Sequence, residues 1–157
     1  MKGHKITDSK EALKFMFAGK SVVTFLNTQT ENRFTFKIKV AKNSNLYFVS
    51  VLTGPDTYSY IGTCIEGIYK HGKKSNISAD AQSVGVFQYM LNKLKINNLP
   101  DFLEVWHEGH CGKCGRRLTV PSSILNGLGP ECIKTLTLSE KRDKFLESIL
   151  SWLQFSS

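Results

Sequence analysis

The sequence predicts an α+β protein: an antiparallel β-meander with packing helices, followed by a C-terminal treble-clef-like zinc module. Three observations carry this expectation. Between residues 33 and 69 apolar side chains recur at every second position, and only short polar turns separate the runs. On either side of that region apolar residues recur at helical spacing instead. Three of the four cysteines and two of the four histidines fall within residues 107–132. The chain therefore divides into an α+β domain over 1–98, with a sheet and two helices, and a zinc-binding module with an amphipathic C-terminal helix over 99–157.

Asp8-Ser9-Lys10-Glu11 has the form of a capping box: Asp8 caps a helix start and Glu11 reaches back to it. Ala12, Leu13, Phe15, Met16 and Phe17 then give about three helical turns, with Gly19 as the C-terminal stop. From Ser21 the period changes to two, and Val22, Val23, Phe25 and Leu26 read as a short strand. In Arg33–Val40 the alternation is strict, with Phe34, Phe36, Ile38 and Val40 on one face and Arg33, Thr35, Lys37 and Lys39 on the other. Asn43-Ser44-Asn45 turns the chain into a strand over 46–52, and Gly54-Pro55-Asp56 into another over 58–65. A last short strand from Gly67 to Tyr69 leads into His71-Gly72. Parallel neighbours need long crossovers, so strands joined this tightly pair antiparallel.

Ser78-Ala79-Asp80 reads as a helix start, with Val84, Val86, Phe87, Met90, Leu91 and Leu94 at helical intervals, and Asn97–Asp101 breaks that helix. Phe102, Val105 and Trp106 then pack the module's first strand on the sheet. The tail from Ser139 to Leu153 carries a broad apolar face (Phe145, Leu146, Ile149, Leu150, Trp152, Leu153) that needs the protein body or a partner to cover it.

Cys111-x-x-Cys114 is the spacing of a tight turn that aims two thiolates at one ion, eased by Gly112 and Gly115. A structural zinc takes four soft or borderline ligands, and His107, Cys111, Cys114 and Cys132 supply them, with His110 the alternative for the histidine position. A thiol redox pair needs neither a third cysteine nor a nearby histidine. Zn²⁺ is thus the expected cofactor, and clustered metal-type cysteines without an apolar stretch after the basic Met1–Lys5 point to the reducing cytoplasm.

The segment His107-x-Gly109-x-Cys111-Gly112-x-Cys114-Gly115-Arg116-x-Leu118-Thr119-x-Pro121-x-Ser123-Ile124, then Gly127-x-Gly129-Pro130-x-Cys132, resembles a short zinc-binding domain common in bacteriophage proteins. Phe48–Asp56 and Tyr69–Ala81 resemble the upstream region of a subset of those proteins. The resemblance covers residues 33 to 132 and implies a phage origin and a bacterial host cytoplasm, within an essentially uncharacterised family. Members often carry arginine where His110 stands, which favours His107 as the fourth ligand.

Catalytic zinc is not indicated. No His-x-Glu with a distant Pro-Cys-x-x-Cys is present, and the histidines of His107-Glu108-Gly109-His110 stand three apart, not four as in His-Glu-x-x-His. No histidine lies between Cys114 and Cys132 to hold a nuclease metal. Cys64 sits within a strand and reads as a buried hydrophobe.

Function is instead suggested by charge. Lys plus Arg number 21 against 13 acids, a formal +8, which favours an anionic partner. Lys70, His71, Lys73 and Lys74 form the densest basic segment and feed a helix start, while Lys113, Arg116 and Arg117 lie on the knuckle and its hairpin. Tyr47, Tyr58, Tyr60 and Tyr69 are candidate stacking platforms on the sheet. The expected function is therefore non-catalytic binding of nucleic acid or another polyanion. The alternative is a phage inhibitor serving host takeover, which binds a host protein or sequesters a nucleotide. In it the C-terminal helix, with Trp152 and Phe155, forms an oligomer or target interface. No segment is apolar and long enough for a membrane helix.

Overall fold

The computed structural model describes residues 3–115. Expectations for Arg116, Arg117, Cys132, the treble-clef hairpin and the C-terminal helix lie outside them. Within 3–115 the chain is α+β: seven antiparallel strands in one sheet, with two helices. In chain order these are β1 (His4–Ile6), α1 (Ser9–Met16), β2 (Lys20–Asn27), β3 (Arg33–Val40), β4 (Leu46–Leu52) and β5 (Tyr58–Ile65). β6 (Ile68–His71), α2 (Gln82–Lys95) and β7 (Leu103–His107) follow.

Helix α1 starts where the capping residues place it, the Asp8 carboxylate accepting the Glu11 N–H at 3.1 Å. It ends at Met16, earlier than Gly19 suggests, because tertiary donors take its last carbonyls. Ser21 Oγ donates to the Met16 carbonyl at 2.7 Å, and the buried Tyr47 hydroxyl to that of Phe17 at 2.8 Å. Phe17 and Ala18 then line a fully buried corner into β2.

Strands β2 to β6 form the expected meander. The β5–β6 hairpin turns on Glu66 and Gly67, both at positive φ (52° and 76°), as a two-residue type I′ turn requires. In β5 the register slips opposite Val49 and Ser50, which pair with Gly62 and Tyr60. The bulged Ile61 leaves Ile61 and Gly62 both buried, and Tyr58 and Tyr60 face the opposite side.

The meander is only part of the sheet. β7 lies between β1 and β2 and is hydrogen-bonded on both sides, with Val105 paired to Ile6 and Phe25. The segment expected to pack on the sheet is thus one of its inner strands. β1, read from sequence only as a basic N-terminus, forms the edge.

Helix α2 begins at Gln82 rather than near Ser78, because Ser78 and Asp80 close their own turn. The Asp80 N–H donates to Ser78 Oγ and the Ala81 N–H to the Ser78 carbonyl. Both helices pack on one face of the sheet. Phe87 of α2 meets Phe36 and Phe25 at ring-centroid distances of 5.0 and 6.3 Å, and Phe17 meets Tyr47 edge-on at 5.2 Å. Val23, Ile38, Val49, Val51 and Val105 complete this layer. The other face has no helix on it among the described residues.

Candidate metal knuckle and basic sheet face

β7 delivers its last residue, His107, fully buried into the helix-covered layer. His4 stands opposite it in register with the rings 5.3 Å apart, and the Phe15 ring lies at 5.4 Å. The Gly109 N–H donates to His107 Nδ1 at 3.0 Å. That nitrogen therefore presents a lone pair, the form in which a histidine ligates, and ligation through it requires the Gly109 N–H to give way.

The knuckle follows at once. Cys111 is buried in the hydrophobic core, its sulfur accepts the Lys113 N–H at 3.4 Å, and its carbonyl accepts the Gly115 N–H at 2.9 Å. Amide-to-sulfur bonding in a tight turn suits a thiolate ligand, since it spreads negative charge from the sulfur. Gly112 has a steric reason. A Cβ there would lie 2.7 Å from the Phe15 carbonyl oxygen, and the Gly112 carbonyl accepts the Lys20 N–H at 2.6 Å. The knuckle is thus locked against the end of α1 and the start of β2. Cys114 is exposed at the outer end of the turn.

Among the described residues no group of three or more His, Cys, Asp or Glu side chains comes together as a metal site. Cys132 lies outside them. The donor chemistry of Cys111 and Cys114 fits zinc, and His107 lies in the same buried layer as Cys111 beside Phe15. His110 is placed otherwise: it is exposed, its Nδ1 is 3.2 Å from the Gly115 carbonyl, and it borders a hollow on the open sheet face.

That open face carries most of the exposed basic residues of the sheet. One row crosses five strands in register: Lys20 pairs with Lys39, Lys39 with Phe48, Phe48 with Thr63, and Thr63 with Lys70. The adjacent row runs Val22, Lys37, Ser50, Tyr60. Lys20, Lys37, Lys39 and Lys70 are exposed, Phe48 retains 42% of its surface, and the Phe48 and Tyr60 rings meet edge-on at 6.3 Å. The Lys37 ammonium sits 4.4 Å above the Tyr58 ring. Lys20, Val22, Lys37, Lys39, Tyr58, Glu108, His110 and Gly115 line a hollow of about 290 Å³. Burial, and then the carboxylates of Glu108 and Asp56, raise the Tyr58 phenol above its ordinary pKa, so its ring stays neutral.

The basic segment after β6 adjoins this face through Gly72, which packs against the Tyr60 ring. Lys73 and Lys74 are exposed. His71 is turned inward, with Nδ1 3.1 Å from the Tyr69 hydroxyl and Nε2 3.0 Å from the Ile77 carbonyl, so it ties the loop down. Ser75 adds a bond to the Tyr60 carbonyl at 2.7 Å. The segment does not feed a helix N-terminus, since α2 begins only at Gln82. Lys113 is half-buried on the knuckle, and Arg116 and Arg117 lie outside the described residues.

Of the four candidate stacking tyrosines, Tyr47 is buried in the core. Tyr69 lies on the helix-covered side, its ring 5.5 Å from Phe87 and its hydroxyl donating to the Ile61 carbonyl at 3.0 Å. Only Tyr58 and Tyr60 reach the open face. Sequence reasoning missed Lys20, Lys37, Lys39 and Phe48 as site residues, although the alternation in 33–40 had already placed Lys37 and Lys39 opposite the core. Cys64 is buried and its thiol is pushed up to about 12, which leaves it no nucleophilic character at neutral pH.

Among the described residues no helix is long and apolar enough to cross a membrane. No curated protein and no solved structure matches the chain. A model of a family of unknown function, DUF6011, matches residues 103–136, from the first residue of β7 through the knuckle and past Cys132. Over those residues the chain is similar to an uncharacterised family.

Proposed function

We propose that this protein is a zinc-stapled, non-catalytic binding protein whose ligand is nucleic acid or another polyanion. The observation that carries this reading is the sheet's unequal faces. Two helices cover one, while the other exposes Lys20, Lys37, Lys39 and Lys70 around Phe48, Tyr58 and Tyr60. The formal charge of +8 agrees with it. In this reading His107, Cys111, Cys114 and Cys132 hold one zinc that fastens the C-terminal segment to the α1–β2 corner. The metal supplies rigidity, and the sheet supplies binding.

The test is a fluorescence titration of zinc-loaded protein against single-stranded DNA, duplex DNA and RNA, at low and near-physiological salt. Affinity that falls steeply with salt supports the reading, because neutralised phosphates release counterions. Weak binding that no salt change affects refutes it. Metal analysis of the same sample is expected to give one zinc per chain.

A further inference from the structure

Resting on that reading, we infer that the ligand is single-stranded nucleic acid and that it lies across the open sheet face, from the Lys20–Lys37–Lys39 hollow to Lys70. A duplex hides the faces of its bases, and its major groove admits a helix or a two-stranded ribbon rather than a broad sheet. A single strand offers what this face matches: unstacked bases beside a backbone of regular negative charge.

The arrangement is ordered. Lysines flank both ends of the row Lys20, Lys39, Phe48, Thr63, Lys70, and the aromatic residue stands in the middle. Four inter-strand steps give this row a length of about 19 Å, long enough for a few nucleotides. Phe48 is the exposed ring on which a base can stack, and Tyr60 buttresses it from the adjacent row. Tyr58 plays a different part: with Lys37 already over its ring, it positions that ammonium at the rim of the hollow. The hollow sets three lysines against one acid, Glu108, which leaves it net cationic and with ample room for a backbone phosphate. At the far end, Lys73 and Lys74 extend the positive charge beyond Lys70, on a loop braced by His71, Gly72 and Ser75.

The experiment compares wild-type protein with three variants on a labelled single strand and on the matching duplex. Lys39→Glu inverts a charge in the row. Lys10→Glu makes the same charge change at an exposed position on α1, on the helix side. Phe48→Ala removes the ring and no charge. Wild type is expected to prefer the single strand. Lys39→Glu is expected to weaken that binding about tenfold or more and to lower the salt slope by about 0.7 per lost contact. Lys10→Glu should change affinity about twofold or less, since exposed charges at long range are screened. Phe48→Ala should cost about tenfold with the salt slope kept, because it removes stacking alone. Matched thermal unfolding of all four proteins shows that the fold is intact. Equal losses for Lys39→Glu and Lys10→Glu, or a wild-type preference for duplex, overturn the assignment of this face while nucleic-acid binding stands. A wild-type protein that binds no nucleic acid overturns both.

Discussion

The two sides of strand β3 differ sharply. Phe36 and Ile38 are fully buried in the helix-covered core, while Lys37 and Lys39, one residue away in each case, are exposed. A helix-covered face can take only apolar groups or satisfied polar ones. The open face tolerates charge, so what accumulates there reflects solubility or binding rather than folding. The open face of this sheet could have been solubilised by mixed charges. Lysines around three aromatic rings form a less neutral surface, and the proposed function rests on that difference.

The comparison breaks most readily at the core. Phe36→Ala is expected to lower unfolding free energy by about 3–5 kcal/mol, since the ring touches Phe25 and Phe87 and the site has little means of collapse. Lys37→Ala in the same strand should stay within about 0.5 kcal/mol. Chemical denaturation of both separates the faces. Comparable losses would mean that the open face is structural.

The second contrast is between the two cysteines of the knuckle. Cys111 is core, whereas Cys114 is exposed and has no packing to lose. Cys114→Ser should therefore match the metal-free wild type in stability and fail to gain from zinc. The wild type should gain about 4 kcal/mol at a thousandfold excess of zinc over its dissociation constant. Equal zinc responses would remove Cys114 from the ligand set.

Gly112→Ala is expected to cost about 1–3 kcal/mol, because the added methyl meets the backbone of Phe15 at the close approach that docks the knuckle. Gly85→Ala provides the contrast: it sits within α2 with open space around it and is expected to stabilise by up to about 1 kcal/mol.

The smallest effect is at the β1–β7 edge. Lys5 Nζ lies 2.8 Å from Glu104 Oε2, and Trp106 Nε1 donates to the same carboxylate at 3.1 Å. The Lys5 hydrogen bond, chiefly, holds the Glu104 carboxyl below its usual pKa against some desolvation. Its contribution is thus complete above the carboxylate's unfolded pKa and fades as pH falls through the folded one, in the region below about pH 4. At this edge-strand site, where Lys5 is exposed and Glu104 half-buried, it amounts to less than about 1 kcal/mol. Unfolding of Glu104→Gln between pH 3 and 7 should show the wild-type advantage held from pH 7 down to about pH 5 and shrinking towards pH 3.

Much of this fold was legible wherever pattern and partner are local. The strict alternation of 33–40 and the turns at Asn43 and Pro55 place β3, β4 and β5 where the structure has them, and Asp8 marks the start of α1. What was illegible is non-local. β1 is three residues long and, among the described residues, gains its strand state from β7, about a hundred residues away in sequence. β7 gains its inner position from Val23–Asn27. The early end of α1 depends on Ser21 and Tyr47, which no local pattern reveals. For the site, the loop lysines stood out because they cluster in sequence. Lys20, Lys39 and Lys70 cluster only across strands, so pairing register was needed to join them.

The most direct measurement is photo-crosslinking of a single strand carrying a photoreactive pyrimidine to the zinc-loaded protein, with the modified peptides read by mass spectrometry. The unequal-face account predicts adducts at Phe48, Tyr58 or Tyr60. Adducts confined to helix-side residues such as Tyr89 on α2 would contradict it.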